Sequence, residues 1–255
     1  MARGLPPPLA LAYHGLADVP LRRDPDHLFV GPRDFRRQVE KLRDWGYELA
    51  SFGELATRAS SGGAAGHAAL TFDDGLVDNL ETLAPLLVEL ETTATVFVVS
   101  GWLGRAHPAA PWTRIVTADE LRELHTAGVE IGCHSATHAD LSALPYDGAL
   151  EELRTGKREL EDVLGAPVEV AAYPYGRAGP ETVRACRAAG FRAACAVSAR
   201  GSWDDPHFLP RQDMENGCTL LGLRLKRDDL YEPLMRFLPA RAVRRVSRRV
   251  KVALG

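Results

Sequence analysis

The chain contains no hydrophobic run that approaches the length of a membrane span, no CxxC cysteine pair and no strong excess of charge of either sign. The four cysteines form no CxxC pair. Cys133, Cys186, Cys195 and Cys218 are therefore expected to be buried, reduced thiols. The net charge of -3 gives no reason to expect that the molecule as a whole binds nucleic acid.

The N-terminal stretch MARGLPPPLALAYHG lacks the features of a secretory signal, because prolines break its apolar run and the run stops at Tyr13-His14. We therefore expect the protein to be cytoplasmic, unless a misassigned start codon hides an export signal. The 255 residues, 45% hydrophobic and 25% charged, fit one large α/β domain better than two small ones.

Short apolar runs alternate with amphipathic stretches, and this alternation predicts a parallel β-sheet, either open or closed. The runs ATVFVVS and VEVAAY are nearly continuous in apolar residues, as buried parallel strands are. Thr117 and Glu120 have the spacing of a capping box at the start of one helix. Strands are predicted at 9–14, 47–50, 68–73, 94–99, 129–133, 168–173 and 191–197, and helices at 32–46, 76–91, 118–127, 146–164 and 180–189.

Two short motifs carry candidate metal chemistry: Thr71-Phe72-Asp73-Asp74-Gly75 and His134-Ser135-Ala136-Thr137-His138. One carboxylate and two imidazoles can hold a divalent ion and leave positions open for water and substrate. The second carboxylate is then a candidate base for a metal-bound water. Taken singly, the first motif is also typical of a turn and the second of a solvated helical face.

The polar residues of these motifs follow different predicted strands. Tyr13-His14, Asp73-Asp74, His134 and Tyr173-Pro174 each fall at the C-terminal end of a strand. Residues that converge from several strand ends are typical of a barrel active site, which favours a closed sheet over an open one.

The two motifs, followed by Tyr173-Pro174-Tyr175-Gly176, resemble the first three motifs of the polysaccharide deacetylases, carbohydrate esterase family 4. The resemblance runs from Leu11-Ala12-Tyr13-His14 to Leu209-Pro210-Arg211, and so covers most of the chain. It implies a distorted, incomplete β/α barrel.

The same resemblance implies roles for individual residues. Asp74, His134 and His138 would hold a divalent metal ion, with Zn²⁺ as the expected one. Asp73 would be the general base, and the backbone N–H of Tyr175 would help to hold the oxyanion.

The chain departs from the family pattern in its third motif. Many members carry an arginine that orients the catalytic aspartate, at the position where this chain has Ala172. Arg211 could replace it from a following strand. The alternative is that Arg211 forms an ordinary surface ion pair.

A second departure is that no histidine follows His207, whereas most members carry a late histidine as the general acid. Tyr13-His14 resembles the opening of the permuted poly-N-acetylglucosamine deacetylase branch, in which the N-terminal histidine supplies the acid. His14 is therefore the predicted acid, and the alternative is a core histidine. Trp102, Trp112 and Trp203 fall in predicted loops, where they could bind a sugar ring or pack on the core. The histidines outside the motifs are predicted to lie on the surface: His27, His67, His107, His125 and His207.

Residues 1–232 are predicted to form the catalytic domain and residues 233–255 a basic amphipathic tail. The tail contains no Asp or Glu and seven cations, with Val243, Val246, Val250 and Leu254 at helical spacing between them. This pattern resembles an interfacial amphipathic helix more than a core helix. We expect it to contact the inner face of an anionic membrane, and the alternative is a disordered or domain-packed basic tail.

The sequence thus predicts a metal-dependent hydrolase that removes N-acetyl groups from a sugar, glycan or lipid-linked glycan. One alternative is hydrolysis of a non-sugar amide or an O-acetyl ester at the same metal site. Another is a non-catalytic glycan-binding relic, because the usual arginine and late histidine are missing.

Overall fold

The computed structural model describes residues 4–197, 201–231 and 233–234. Its strands are β1 (Leu9–Tyr13), β2 (Gly15–Leu16), β3 (Phe29–Val30), β4 (Glu48–Ala50), β5 (His67–Phe72), β6 (Thr95–Val98), β7 (Glu130–Cys133), β8 (Val170–Ala172), β9 (Ala193–Val197) and β10 (Leu209–Asp213). Its α-helices are α1 (Pro32–Asp44), α2 (Phe52–Ser60), α3 (Ala84–Glu89), α4 (Ala118–Thr126), α5 (Tyr146–Leu164), α6 (Pro180–Ala188) and α7 (Leu220–Arg227).

Seven parallel strands form a closed ring in the order β1, β10, β9, β8, β7, β6 and β5, because β1 pairs with both β10 and β5. The short strand β4 lies along the amino-terminal half of β5, where Glu48 is opposite His67. β6 pairs with the other half of the same edge, where Thr71 is opposite Thr95. The predicted distorted β/α barrel is confirmed, with seven strands in its wall.

Strand residues alternate between two apolar clusters, as the two-residue period of a strand requires. The larger cluster lies between the barrel and its helices and includes Val96 and Val98 of β6. The smaller cluster includes Phe97, which lies between them in sequence, and Phe52 and Leu55 of α2. The Phe52 N–H donates to Thr95 Oγ1 at 2.8 Å, at the start of β6, so α2 covers the amino-terminal end of the barrel.

Most predicted elements are present with shifted ends, and the capping box of Thr117 and Glu120 is confirmed. The helix predicted at 76–91 is instead a π-helix at Asn79–Leu83 that continues into α3. The sequence analysis did not predict α2, α7 or the bounds of β10.

Among the described residues, no helix is both long and apolar enough to cross a membrane. The predicted domain boundary after residue 232 stays a prediction. All but the first two residues of the predicted tail lie outside the described part of the chain.

Candidate metal centre and active-site cavity

The carboxyl ends of the barrel strands surround a cavity of about 620 Å³. His14 follows β1, Asp73 and Asp74 follow β5, and His134 follows β7. Parallel strands bring their carboxyl ends to the same edge of a sheet, and in a barrel these ends form one rim. The structure therefore brings the predicted site residues His14, Asp73, Asp74, His134, His138 and Tyr175 into the wall of one cavity.

Asp74, His134 and His138 form a three-residue cluster whose ligand atoms all lie within 4.8 Å of one another. Asp74 Oδ1 lies 3.7 Å from His134 Nε2 and 3.5 Å from His138 Nε2. This oxygen is buried and has no hydrogen-bond partner. A buried, unpaired carboxylate oxygen that faces two imidazole nitrogens fits a divalent cation such as Zn²⁺.

Each of the two imidazoles can offer a nitrogen lone pair to a cation beside Asp74 Oδ1. His134 Nδ1 lies 2.9 Å from the carbonyl oxygen of Ala172, so Nδ1 carries the proton and Nε2 is free to bind. Burial is the main cause that lowers the pKa of His138 to about 4, and the neighbouring His134 lowers it further. His138 is therefore neutral at pH 7, as a metal ligand must be.

The turn after β7 brings His138 back beside His134. Ser135 and His138 both adopt left-handed backbone conformations, with φ of 63°. Ser135 Oγ accepts a 2.9 Å hydrogen bond from the His138 N–H. Helix α5 packs closely on this turn, because a Cβ at Gly156 would lie 2.8 Å from the Ser135 carbonyl carbon. The two histidines of the HxxxH motif thus meet through an irregular turn and not along the face of a helix.

The other oxygen of Asp74 is held by a residue that the sequence analysis placed wrongly on the surface. His107 is buried and its Nε2 lies 3.0 Å from Asp74 Oδ2. Burial would raise the pKa of Asp74, but the hydrogen bond from His107 and the facing imidazoles of His14, His134 and His138 hold that pKa well below its usual range. No sequence pattern marks His107, which follows Asp74 by 33 residues in a loop.

Asp73 forms a bidentate pair with Arg211. Arg211 Nη1 lies 2.7 Å from Oδ1 and Nη2 lies 2.8 Å from Oδ2, and Nη1 also donates to Thr71 Oγ1 at 2.9 Å. Burial opposes ionisation of Asp73, but the Arg211 guanidinium outweighs it and lowers the pKa of this carboxyl. Arg211 is 1% exposed, so the alternative of a surface ion pair is wrong. Its guanidinium contacts the predicted base from the strand that follows β9.

His14 and Tyr175 lie on the cavity wall, as expected, and their chemical roles remain predictions. The Asp73 N–H donates to the Tyr13 carbonyl oxygen at 2.8 Å, which aligns His14 with Asp73 on the neighbouring strand. Tyr175 has a left-handed φ of 58°, and its exposed ring lies 4.7 Å from the His138 ring.

The three loop tryptophans have different surroundings. Trp102 lines the cavity, with its ring centroid 4.8 Å from that of His138. Trp112 packs against Phe29, and Trp203 packs against the smaller core cluster. His207 is also buried, so its predicted surface position is wrong. Its Nε2 lies 2.9 Å from the carbonyl oxygen of Phe191.

The sequence profile of the polysaccharide deacetylases matches residues 61–194, slightly more than half of the chain. The chain belongs to the polysaccharide deacetylase family. This confirms the resemblance carried by the two motifs.

A curated relative that the chain matches is distant in sequence. YxkH of Bacillus subtilis (strain 168), whose name proposes it as a polysaccharide deacetylase, is 23% identical over 184 residues. The match covers 71% of this chain and 61% of YxkH, so the chain spans about three fifths of the curated relative.

Two solved structures have similar folds. A deacetylase of Streptococcus pyogenes, PplD in complex with acetate, has a TM-score of 0.72 at 23% identity and covers 89% of this chain and 99% of its own. IcaB from Ammonifex degensii has a TM-score of 0.74 at 20% identity, with 89% and 97% covered. At these identities the likeness shows the fold.

Proposed function

We propose that this protein is a metal-dependent hydrolase that removes N-acetyl groups from an N-acetylated sugar or glycan. The observation that carries the proposal is the unpaired Asp74 Oδ1 that faces His134 and His138 beside the buried Asp73–Arg211 pair. Asp73, Asp74, His134 and His138 line one cavity large enough for a sugar residue, and Arg211 lies buried behind Asp73.

A divalent ion held by Asp74, His134 and His138 would polarise the acetyl carbonyl and lower the pKa of a water molecule. Asp73 accepts the proton of the attacking water while Arg211 fixes the orientation of its carboxylate. His14 donates a proton to the nitrogen as the carbon–nitrogen bond breaks, so the products are acetate and a free amine. The Tyr175 N–H supports the developing oxyanion.

Acetate release by the metal-reconstituted protein tests the proposal. N-acetylglucosamine oligomers are compared with acetylated xylan and with small non-sugar amides. We expect release from the oligomers. Preference for acetylated xylan would favour an O-acetyl esterase, and preference for small amides a non-sugar amidase. Binding of oligomers without any release would favour the glycan-binding relic.

Metal content gives a separate prediction. The purified protein is expected to contain one Zn²⁺-like ion per chain, and His134→Ala combined with His138→Ala is expected to abolish it, because two of three ligands are lost. Elemental analysis of both proteins measures this. His125→Ala is the matched control, since His125 is exposed on α4. Stoichiometric metal in the double variant would place the ion elsewhere.

We also propose that residues 233–255 bind anionic membranes. Seven cations lie there without any acid: Arg236, Arg241, Arg244, Arg245, Arg248, Arg249 and Lys251. Leu230, three residues before this segment, and Leu234, its second residue, are 53% and 45% exposed. Each cation near an anionic surface contributes about 1 kcal/mol before screening, enough in sum to outweigh repulsion from the acidic remainder of the chain.

Co-sedimentation with phosphatidylserine-containing vesicles tests this membrane prediction. The full chain should pellet at low salt and much less at high salt, because ions screen the attraction. A chain that ends at Glu232 should stay in the supernatant. If both forms stay in solution at low salt, the tail has another use, and if both pellet equally, the binding surface lies on the barrel.

A further inference from the structure

We propose that His107 is a positioning residue that holds Asp74 in the orientation needed to bind the metal ion and thereby sets the affinity of the site. This inference rests on the proposed metal-dependent function. His107 lies on the cavity wall but is not one of the three candidate ligands. It acts through the carboxylate of Asp74, whose two oxygens have different surroundings.

The hydrogen-bond pattern fixes the tautomer of His107. The Ala110 N–H donates to His107 Nδ1 at 3.1 Å, so Nδ1 is the acceptor. Nε2 therefore carries the proton and donates it to Asp74 Oδ2 at 3.0 Å. One oxygen of Asp74 is thus fixed by His107, and the other is left to face His134 and His138.

The loop that carries His107 is bonded to the segment that carries Asp74. The Val116 N–H donates to the Gly75 carbonyl oxygen at 2.9 Å, and the Val77 N–H donates to the Arg114 carbonyl oxygen at 2.9 Å. Within the loop, the His107 N–H donates to the Thr113 carbonyl oxygen at 3.1 Å. His107 and Asp74 are therefore held as one unit.

The backbone at Asp74 needs such support. Its φ of 72° lies in the left-handed region, which side chains other than glycine seldom adopt. A ligand that is free to change rotamer must lose that freedom when it binds, which weakens affinity. Partners that orient a ligating side chain typically contribute about 10–100-fold to metal affinity.

A matched pair of substitutions separates this role from a structural one. In His107→Asn, the amide is placed near Nδ1, so it can accept from Ala110 but is too short to reach Asp74. In His107→Gln, the amide reaches the position of Nε2 and can donate to Asp74. If His107 served only to anchor its loop through Ala110, Asn would preserve the site and Gln would not.

Zinc affinity of the chelator-treated full chain is measured by titration with Zn²⁺, and the Co²⁺ absorption spectrum reports the geometry of the site. His107→Asn is expected to bind Zn²⁺ about 10–100-fold more weakly with an altered Co²⁺ spectrum. His107→Gln is expected to remain near the wild-type protein on both measurements. His125→Ala is the control for loss of an exposed histidine, and circular dichroism checks that each variant is folded.

Wild-type affinity in His107→Asn would overturn the inference, and so would an equal loss in the Asn and Gln variants, because a restored hydrogen bond to Asp74 would then not restore the affinity. Absence of Zn²⁺ binding by the wild-type protein is a different result. It would overturn the proposed function itself and this inference with it.

Discussion

Replacement of His14 by alanine is expected to lower the rate of acetate release from N-acetylglucosamine oligomers by about 10²–10⁴-fold, the usual contribution of general acid–base catalysis. His14 lies on the cavity wall beside Asp73, because β1 and β5 pair in parallel with Tyr13 opposite Phe72. An amine is a poor leaving group without a proton. Turnover assays give the rate, and elemental analysis should show that the metal content is unchanged.

An activated aryl acetate distinguishes loss of the acid from damage to the site. Its phenolate leaves without protonation, so His14→Ala should hydrolyse this ester at nearly the wild-type rate. Equal losses on both substrates would mean that His14 supports the site by another route. Near-normal activity on the oligomers would show that a different group protonates the amine.

Replacement of Arg211 by methionine is expected to lower the free energy of unfolding by about 3–5 kcal/mol, because it leaves the buried carboxylate of Asp73 without its counter-charge. Arg211 is 1% exposed, makes a bidentate pair with Asp73 and lies with its guanidinium carbon 5.3 Å from the centre of the Phe97 ring. Urea unfolding measures the loss. Arg177→Met is the matched control, since Arg177 forms an exposed ion pair and should change stability by less than about 1 kcal/mol.

A double-mutant cycle tests the origin of this loss. Asp73→Asn removes the charge that Arg211 neutralises, so the double variant should be more stable than the sum of the two single losses predicts. A coupling free energy of about 2 kcal/mol or more is expected for a buried pair. Additive losses would show that Arg211 stabilises the barrel only through its packing on Phe97.

The sequence by itself determined the fold class and the position of the candidate metal site. Apolar runs that alternate with amphipathic stretches require a parallel sheet covered by helices, and this alternation is local enough to read along the chain. Asp73-Asp74 and His134 directly follow such runs. Chain direction alone then places them at the carboxyl ends of β5 and β7, where parallel strands bring them together.

Strand β10 was harder to predict. LPRQD contains a proline and two charged residues, a composition that is unusual for a buried strand. Its place in the barrel depends on pairing with β9 and β1. The burial of Arg211 depends on the same pairing, because an arginine becomes favourable in the interior only when a carboxylate such as Asp73 is already there.

Only the tertiary structure decided what supports the candidate metal ligands. His107 is one histidine in an irregular loop, and hydrogen bonds from that loop to the segment around Gly75 bring it to Asp74. Hydrogen bonds of this kind leave no repeating pattern in the sequence from which they could be predicted. The sequence therefore determined the candidate ligands through local pattern. The partners of Asp73 and Asp74 followed from closure of the barrel, which sets distances between residues far apart in sequence.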